Sequence, residues 1–184
     1  MNKTIERKID EAIKQIWLHE IENDYNNGWL LKEDTLKNSL YYHLRVKLGD
    51  LFDENNIRIF TEFTDDRFKK SHKIPDMVIA KVKEKQESDY WGDDIEKCLA
   101  VIEIKFKSNF QSSEDIYSDF EKLEYYKTEL GVKCKLYMAT IWEYEDGETN
   151  WVRKNGAWAK NTLTELNASY DKNTEDIRFY IWEH

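Results

Sequence analysis

Glycine and proline are scarce in this chain, with six glycines and one proline in 184 residues. No phosphate-cradling glycine loop of either common kind occurs, and there is no HExxH, so ATP use and zinc hydrolysis have no foundation in the sequence. Cysteine is equally sparse. Cys98 and Cys134 both fall in apolar stretches, form no CxxC and have no histidine at zinc-ligand spacing, so they read as buried reduced thiols. No apolar run reaches membrane-spanning length, and the start Met-Asn-Lys-Thr-Ile-Glu-Arg-Lys lacks a signal-peptide core. With 35% charged residues and a mean hydropathy of -0.83, the expectation is a cytoplasmic chain with no membrane partner. Internal repeats and low-complexity linkers are absent too, which predicts one domain over residues 1–184, long enough for a real core.

Positive charge is also in short supply: 28 Lys and Arg stand against 37 Asp and Glu, a net charge of -9. That balance counts against a nucleic-acid partner, because phosphate contacts need cations. Locally the balance reverses. Between Arg67 and Lys85 lie Arg67, Lys69, Lys70, Lys73, Lys81, Lys83 and Lys85, against the acids Asp76 and Glu84 alone. This stretch reads either as a basic surface beside a site or as a solvated strand edge that resists aggregation.

Apolar spacing sets the elements. Ile5, Ile9, Ala12, Ile13, Ile16 and Trp17 predict an amphipathic helix over residues 4–22, ended by the polar run Glu22 to Gly28. Leu36, Leu40, Leu44, Leu48 and Leu51 predict a second helix from Glu33 to Phe52, with Asp34 as its N-terminal cap. Strands are predicted over residues 56–63, 74–80, 98–106 and 133–142, the second and third joined by a polar hairpin connection at residues 84–96. Between the last two strands, Ser112 and Asp115 stand at capping-box spacing. Ile116, Phe120, Leu123 and Leu130 give that helix a buried stripe, and Gly131 closes it. The tail, residues 146–184, reads as a β-rich extension: a hairpin turn at Asn155-Gly156, a short helix over Thr162 to Leu166, and a final strand from Ile177 to Trp182.

Chemistry concentrates between Lys73 and Lys107. The only proline, Pro75, precedes Asp76, the one acid of an otherwise apolar strand; the next strand carries Glu103 and Lys105. Alternation puts Glu103 and Lys105 on one face with Leu99 and Val101, while Cys98, Ala100, Ile102, Ile104 and Phe106 face the other way. If the strands pair, Asp76 lies beside Glu103, and two carboxylates that close repel unless a cation separates them. Hard oxygen donors of this kind suit magnesium or manganese, with Lys105 placed to orient a water or stabilise developing phosphate charge. Of the two acid-x-Lys triplets in the chain, Glu6-Arg7-Lys8 is helical and only Glu103-Ile104-Lys105 lies in a strand. The plainer alternative is an edge-strand proline beside a solvated Asp76, with Glu103 and Lys105 as a surface pair.

A third acid has two candidates. Glu33 leads the core-facing stripe of the second helix, and Glu62 sits near the end of the first strand. Each also has a plain reading, Glu33 as an acid favourably placed at a helix N-terminus. Lys122 reads as solvent-facing rather than turned toward the site, His72 as a surface histidine in a basic turn rather than a phosphate contact, and Tyr90 and Trp91 as aromatics buried on the sheet rather than base-stacking groups. Trp142, Trp151, Trp158 and Trp182 read mainly as core filling.

The pattern Pro75-Asp76, a spacer, then Glu103-Ile104-Lys105 resembles the PD-(D/E)XK nuclease superfamily, over roughly residues 33–142. The resemblance implies an α/β restriction-endonuclease-like core, a mixed central sheet in the order helix-strand-strand-strand-helix-strand flanked by helices, with residues 1–28 an added N-terminal helix. It implies a Mg2+- or Mn2+-dependent nuclease acting on DNA, with RNA as the alternative substrate. Asp76, Glu103 and the backbone carbonyl of Ile104 would be the metal ligands, and Lys105 would position the attacking water. It also supports Glu33, or failing it Glu62, as the further acid. A homodimer would suit duplex cleavage. The rival expectation, drawn from the acidic balance, is a catalytically silent member of the same fold acting as an interaction or regulatory protein.

Overall fold

The computed structural model describes residues 3–64, 68, 73–89, 91–108, 114–146 and 156–184. The N-terminal rod comprises α1 (Lys3–Ile16), a π-helical turn (Trp17–Ile21) and α2 (Glu22–Asn26). Ile9, Ala12, Ile13 and Ile16 bury one stripe of α1. The wider turn then keeps both Trp17 and Ile21 in the core, and the Trp17 indole donates to the carbonyl of Asn167 at 3.0 Å. The helix therefore runs on through the polar residues at 22–26, where the sequence predicted a break. Gly28, at φ +73°, ends it, and its N–H bonds the carbonyl of Tyr25.

Helix α3 (Glu33–Glu54) buries Leu36, Leu40, Leu44, Leu48 and Phe52. Its cap differs from expectation. Thr35 Oγ1 accepts from the backbone N–H groups of Leu31 and Lys32, whereas Asp34 lies inside the first turn and pairs with Lys32. The hydroxyl of Thr35 reaches back where the Asp34 carboxylate cannot.

Among the described residues the sheet has six strands in sequence order: β1 (Ile57–Thr61), β2 (Met77–Val82), β3 (Ile95–Lys107), β4 (Lys135–Asp146), β5 (Leu163–Asp171) and β6 (Asp176–Glu183). β1, β2 and β3 pair antiparallel, β3–β4 and β4–β5 are parallel, and β6 closes antiparallel on β5. Helices α1 and α3 cover one face. Helix α4 (Glu114–Thr128), the connection between parallel β3 and β4, covers the other. This is an α/β fold with a mixed sheet between helical layers. No helix among the described residues is long and apolar enough to cross a membrane.

Two predicted features are corrected. The segment 162–166 is not a helix; it opens β5. Its Leu163 and Leu166 imitate a helical stripe, but they point to opposite faces of the sheet, each buried in a different core cluster. Within β3 the alternation slips. Ile79 pairs with Ala100 and Ala80 with Cys98, leaving Leu99 as an extra residue. Leu99 consequently joins the α1/α3 side and Cys98 the α4 side, the reverse of strict alternation. Both cysteines are buried free thiols, as read from sequence. Ala157–Ala159 forms a 3-10 turn, while Asn155 and Trp151 lie outside the described residues, as do Ser112, His72, Tyr90, Arg67, Lys69 and Lys70.

Candidate active site

Antiparallel pairing of β2 with β3 fixes the first two acids. Met77 pairs with Ile102 and Val78 with Val101, so the next step of the ladder sets Asp76 against Glu103. Val78 and Val101 both belong to the α4-side core, and the two acids continue that face. The carboxylate of Asp76 is held twice: Oδ2 accepts the Ile104 backbone N–H at 2.8 Å, and Oδ1 accepts Lys37 Nζ at 3.2 Å. Pro75 and Asp76 supply carbonyls to the N–H groups of Phe63 and Glu62, which ties the entry of β2 to the exit of β1.

Glu103 is fully buried. Oε1 accepts the Tyr126 hydroxyl at 2.9 Å and Oε2 accepts Lys122 Nζ at 3.0 Å. Burial pushes its carboxyl well above the usual range, the Asp76 charge adds to that, and Lys122 opposes it. Glu103 also drives the Tyr126 phenol upward, second to burial itself.

Lys105 shares the Glu103 face, as alternation requires. Its ammonium lies 3.0 Å from Asp119 Oδ2 and 3.2 Å from Glu33 Oε2. Burial pulls this lysine down, but the two carboxylates more than offset it and hold the ammonium above its ordinary value. Lys122 and Lys37 show the same balance: desolvation is outweighed in Lys122 by Glu103 and Asp119, in Lys37 by Glu62 and Asp76. All three lysines are thus firmly cationic.

The result is a chain of alternating charge across one end of the sheet: Glu62, Lys37, Asp76, then Glu103, Lys122, Asp119, Lys105 and Glu33. Five carboxylates face three ammonium groups. With every acid ionised, the cluster carries an excess of two negative charges, and protonation of Glu103 relieves one of them.

The sequence-predicted residues distribute unevenly over this chain. Asp76, Glu103 and Lys105 converge. Glu33 enters through Lys105, and Glu62 through Lys37 on the far side, so each competing third acid is bound to a lysine. Among the described residues, no three His, Cys, Asp or Glu side chains form a group that could hold a metal ion. Lys122, read as solvent-facing, turns inward to Glu103. Asp119, Tyr126 and Lys37 were not singled out by sequence, though signals existed. Asp119 and Tyr126 fall on the buried stripe of α4 with Ile116 and Leu123, and Lys37 stands one helical turn from Glu33. Three of the four described lysines of the basic stretch are engaged, Lys81 with Glu96, Lys83 with Glu87 and Asp94, and Lys73 over the Tyr125 ring, while Lys85 is exposed.

Comparison with known proteins gives no identification: no family model, no curated protein and no solved structure matches the chain.

Proposed function

We propose that this chain is a metal-dependent nuclease of the restriction-endonuclease-like type, hydrolysing phosphodiester bonds, with DNA as the first substrate to test. One observation carries the reading: Asp76 and Glu103 face each other across paired strands at one sheet end, with the cationic Lys105 two residues on. The order helix-strand-strand-strand-helix-strand, formed by α3, β1, β2, β3, α4 and β4, supports it. The donor set fits a hard divalent cation, since oxygen ligands and two excess negative charges are what such an ion neutralises. Magnesium or manganese held by Asp76, Glu103 and the Ile104 backbone carbonyl would polarise the scissile phosphate and acidify a bound water.

The protein's own groups have defined tasks. The Ile104 N–H fixes one Asp76 oxygen, and Tyr126 fixes one Glu103 oxygen, so neither carboxylate has to be ordered on binding. Lys105, kept protonated by Asp119 and Glu33, donates to the attacking water and to the charge that develops on phosphorus oxygens; it orients the nucleophile and does not deprotonate it. Purified protein with magnesium should nick supercoiled plasmid, and Asp76→Ala or Lys105→Ala should each remove at least about 100-fold of the rate while the fold persists. Nicking that survives both substitutions would dispose of the site. Parallel assays on RNA decide between the two nucleic acids.

A second reading has its own observation. Lys37 and Lys122 already stand on Asp76 and Glu103, so the cluster is partly neutralised without any metal, as suits a silent member of the fold that binds other partners. Manganese titration followed by tryptophan fluorescence separates the two. The nuclease saturates in the sub-millimolar to millimolar range expected of a few carboxylates and loses binding in Glu103→Ala; the silent protein gives no saturable change.

A further inference from the structure

At the opposite end of β3 and β4 lies a second polar feature, independent of the nuclease reading. A cavity of about 230 Å³ opens between α1, α4 and the amino ends of these strands. Three lysines surround it: Lys127 from the last turn of α4, Lys133 from the loop that follows, and Lys135 at the start of β4. Among the described residues ten other lysines are ion-paired, namely Lys14, Lys32, Lys37, Lys47, Lys81, Lys83, Lys97, Lys105, Lys107 and Lys122. None of the three around the cavity pairs with a described carboxylate. Among the described residues of its wall the single acid, Glu6, is already neutralised by Lys97. An acidic protein thus concentrates three uncompensated cations around one concavity.

The rest of the lining restricts what fits. Asn161 and Thr162 add an amide and a hydroxyl at the rim, and Ile9, Leu99 and Tyr137 make one wall largely apolar. Asn161 is held at φ +57°, and its N–H bonds the carbonyl of His184, so the rim is fixed by the C-terminal strand. Three ammonium groups match a phosphomonoester, which carries about -1.5 to -2 near neutral pH, better than a singly charged carboxylate. The volume lies below the roughly 300–1,000 Å³ of pockets that take drug-sized ligands. It accommodates a phosphate with the sugar or small ring that bears it, the ring against the apolar wall.

We infer that the cavity bounded by Lys127, Lys133 and Lys135 is a binding site for a phosphomonoester group. The group arrives either on a free mononucleotide or on the phosphorylated end of a nucleic-acid strand. Leu99 and Glu103 are four residues apart on β3, so the site stands about 13 Å along the strand from the nearest acid of the cluster and is occupied separately from it.

Calorimetry on the full chain tests this with four probes: a nucleoside 5′-monophosphate, the matching unphosphorylated nucleoside, and a short oligonucleotide with and without a 5′-phosphate. Binding of the monophosphate but not the nucleoside supports the site and assigns the free ligand. Preference for the phosphorylated oligonucleotide alone supports it and assigns a strand end. In either case Lys127→Gln/Lys133→Gln/Lys135→Gln should weaken binding at least about tenfold, whereas Lys8→Gln/Lys85→Gln should not. The exposed Lys133→Glu change gives the same direction in a variant that disturbs no packing. Asp76→Ala should bind as the wild type does, so loss of nuclease activity leaves this measurement intact. Phosphate-independent binding, no binding by any probe, or unchanged affinity in both lysine variants would overturn the assignment.

Discussion

The two faces of the sheet are made of different material. Under α1 and α3 the strands present Ile57, Ile59, Met77, Ile79, Ile102, Ile104, Ala139, Ile141, Leu166 and Ala168 to a continuous apolar layer. Under α4 the same strands begin alike, with Val78, Val101, Leu136, Met138 and Leu163, and then turn polar. Glu103 and Lys105 follow Val101 on β3. By register, Thr140 follows Met138 on β4, and Glu165 and Asn167 follow Leu163 on β5, all of them buried. One face is what water leaves behind when it is expelled. The other retains charges whose desolvation opposes folding, since a buried ion pair is on average no more stabilising than a well-packed apolar replacement. Charges kept on a face that could have been apolar are the physical reason to look for chemistry there.

The comparison can be broken most directly on the apolar side. Leu40→Ala removes a fully buried side chain from the α3 stripe and should cost about 2–5 kcal/mol by denaturant unfolding, with any nuclease rate per folded molecule unchanged. A loss below about 1 kcal/mol would mean that the α1/α3 layer is not the part that holds the fold.

On the charged side, Lys122→Met leaves Glu103 buried without its cation. The expected loss is about 1–3 kcal/mol at neutral pH, less than for a fully enclosed pair because Lys122 is partly exposed. The loss should vanish in acid, where Glu103 is neutral and Tyr126 and solvent can satisfy it. A deficit that is the same at every pH would indicate lost packing rather than lost charge compensation.

The smallest effect is a slope. Glu103 has a folded-state pKa raised above its unfolded value, so its protonated form favours the fold at low pH, and that contribution is lost as pH rises through the raised value. Unfolding free energy should therefore fall across that window in the wild type. Glu103→Gln, which keeps the side chain's shape and one accepting oxygen and discards the charge, should flatten the fall. Under the metal-binding reading, magnesium uptake should release a proton from the same group and tighten as pH rises. An unchanged slope in Glu103→Gln would assign the titration elsewhere.

Periodicity made most of the fold legible. The α3 leucines four apart, the two apolar runs around Asp76 and Glu103, and the closing strand at Ile177 to Trp182 were each readable because one local rule accounts for each. The misreadings share a cause: segments whose burial is decided by distant partners. Polar residues at 22–26 stay helical because Tyr25 packs on Phe106 and Phe179 and donates to Glu143. The stretch 162–166 looked helical because Glu165 occupies a position where a buried strand ordinarily has an apolar residue. Glu165 is tolerated there by His184, 2.8 Å away on the neighbouring strand's end, and by the Asn167 amide.

The site divides along the same line. Asp76, Glu103 and Lys105 stood out from neighbouring residues alone, because an acid or lysine in an apolar strand is conspicuous at a range of two or three positions. Lys37, Asp119, Lys122 and Tyr126 did not, since a charged residue on a helix is ordinary until the face it occupies is known. Local spacing is written in bonded geometry and can be read along the chain. The direction in which a helix turns its charges is set by the packing of whole layers, so the alternating row of carboxylates and ammonium groups existed only once α3 and α4 were laid against the sheet.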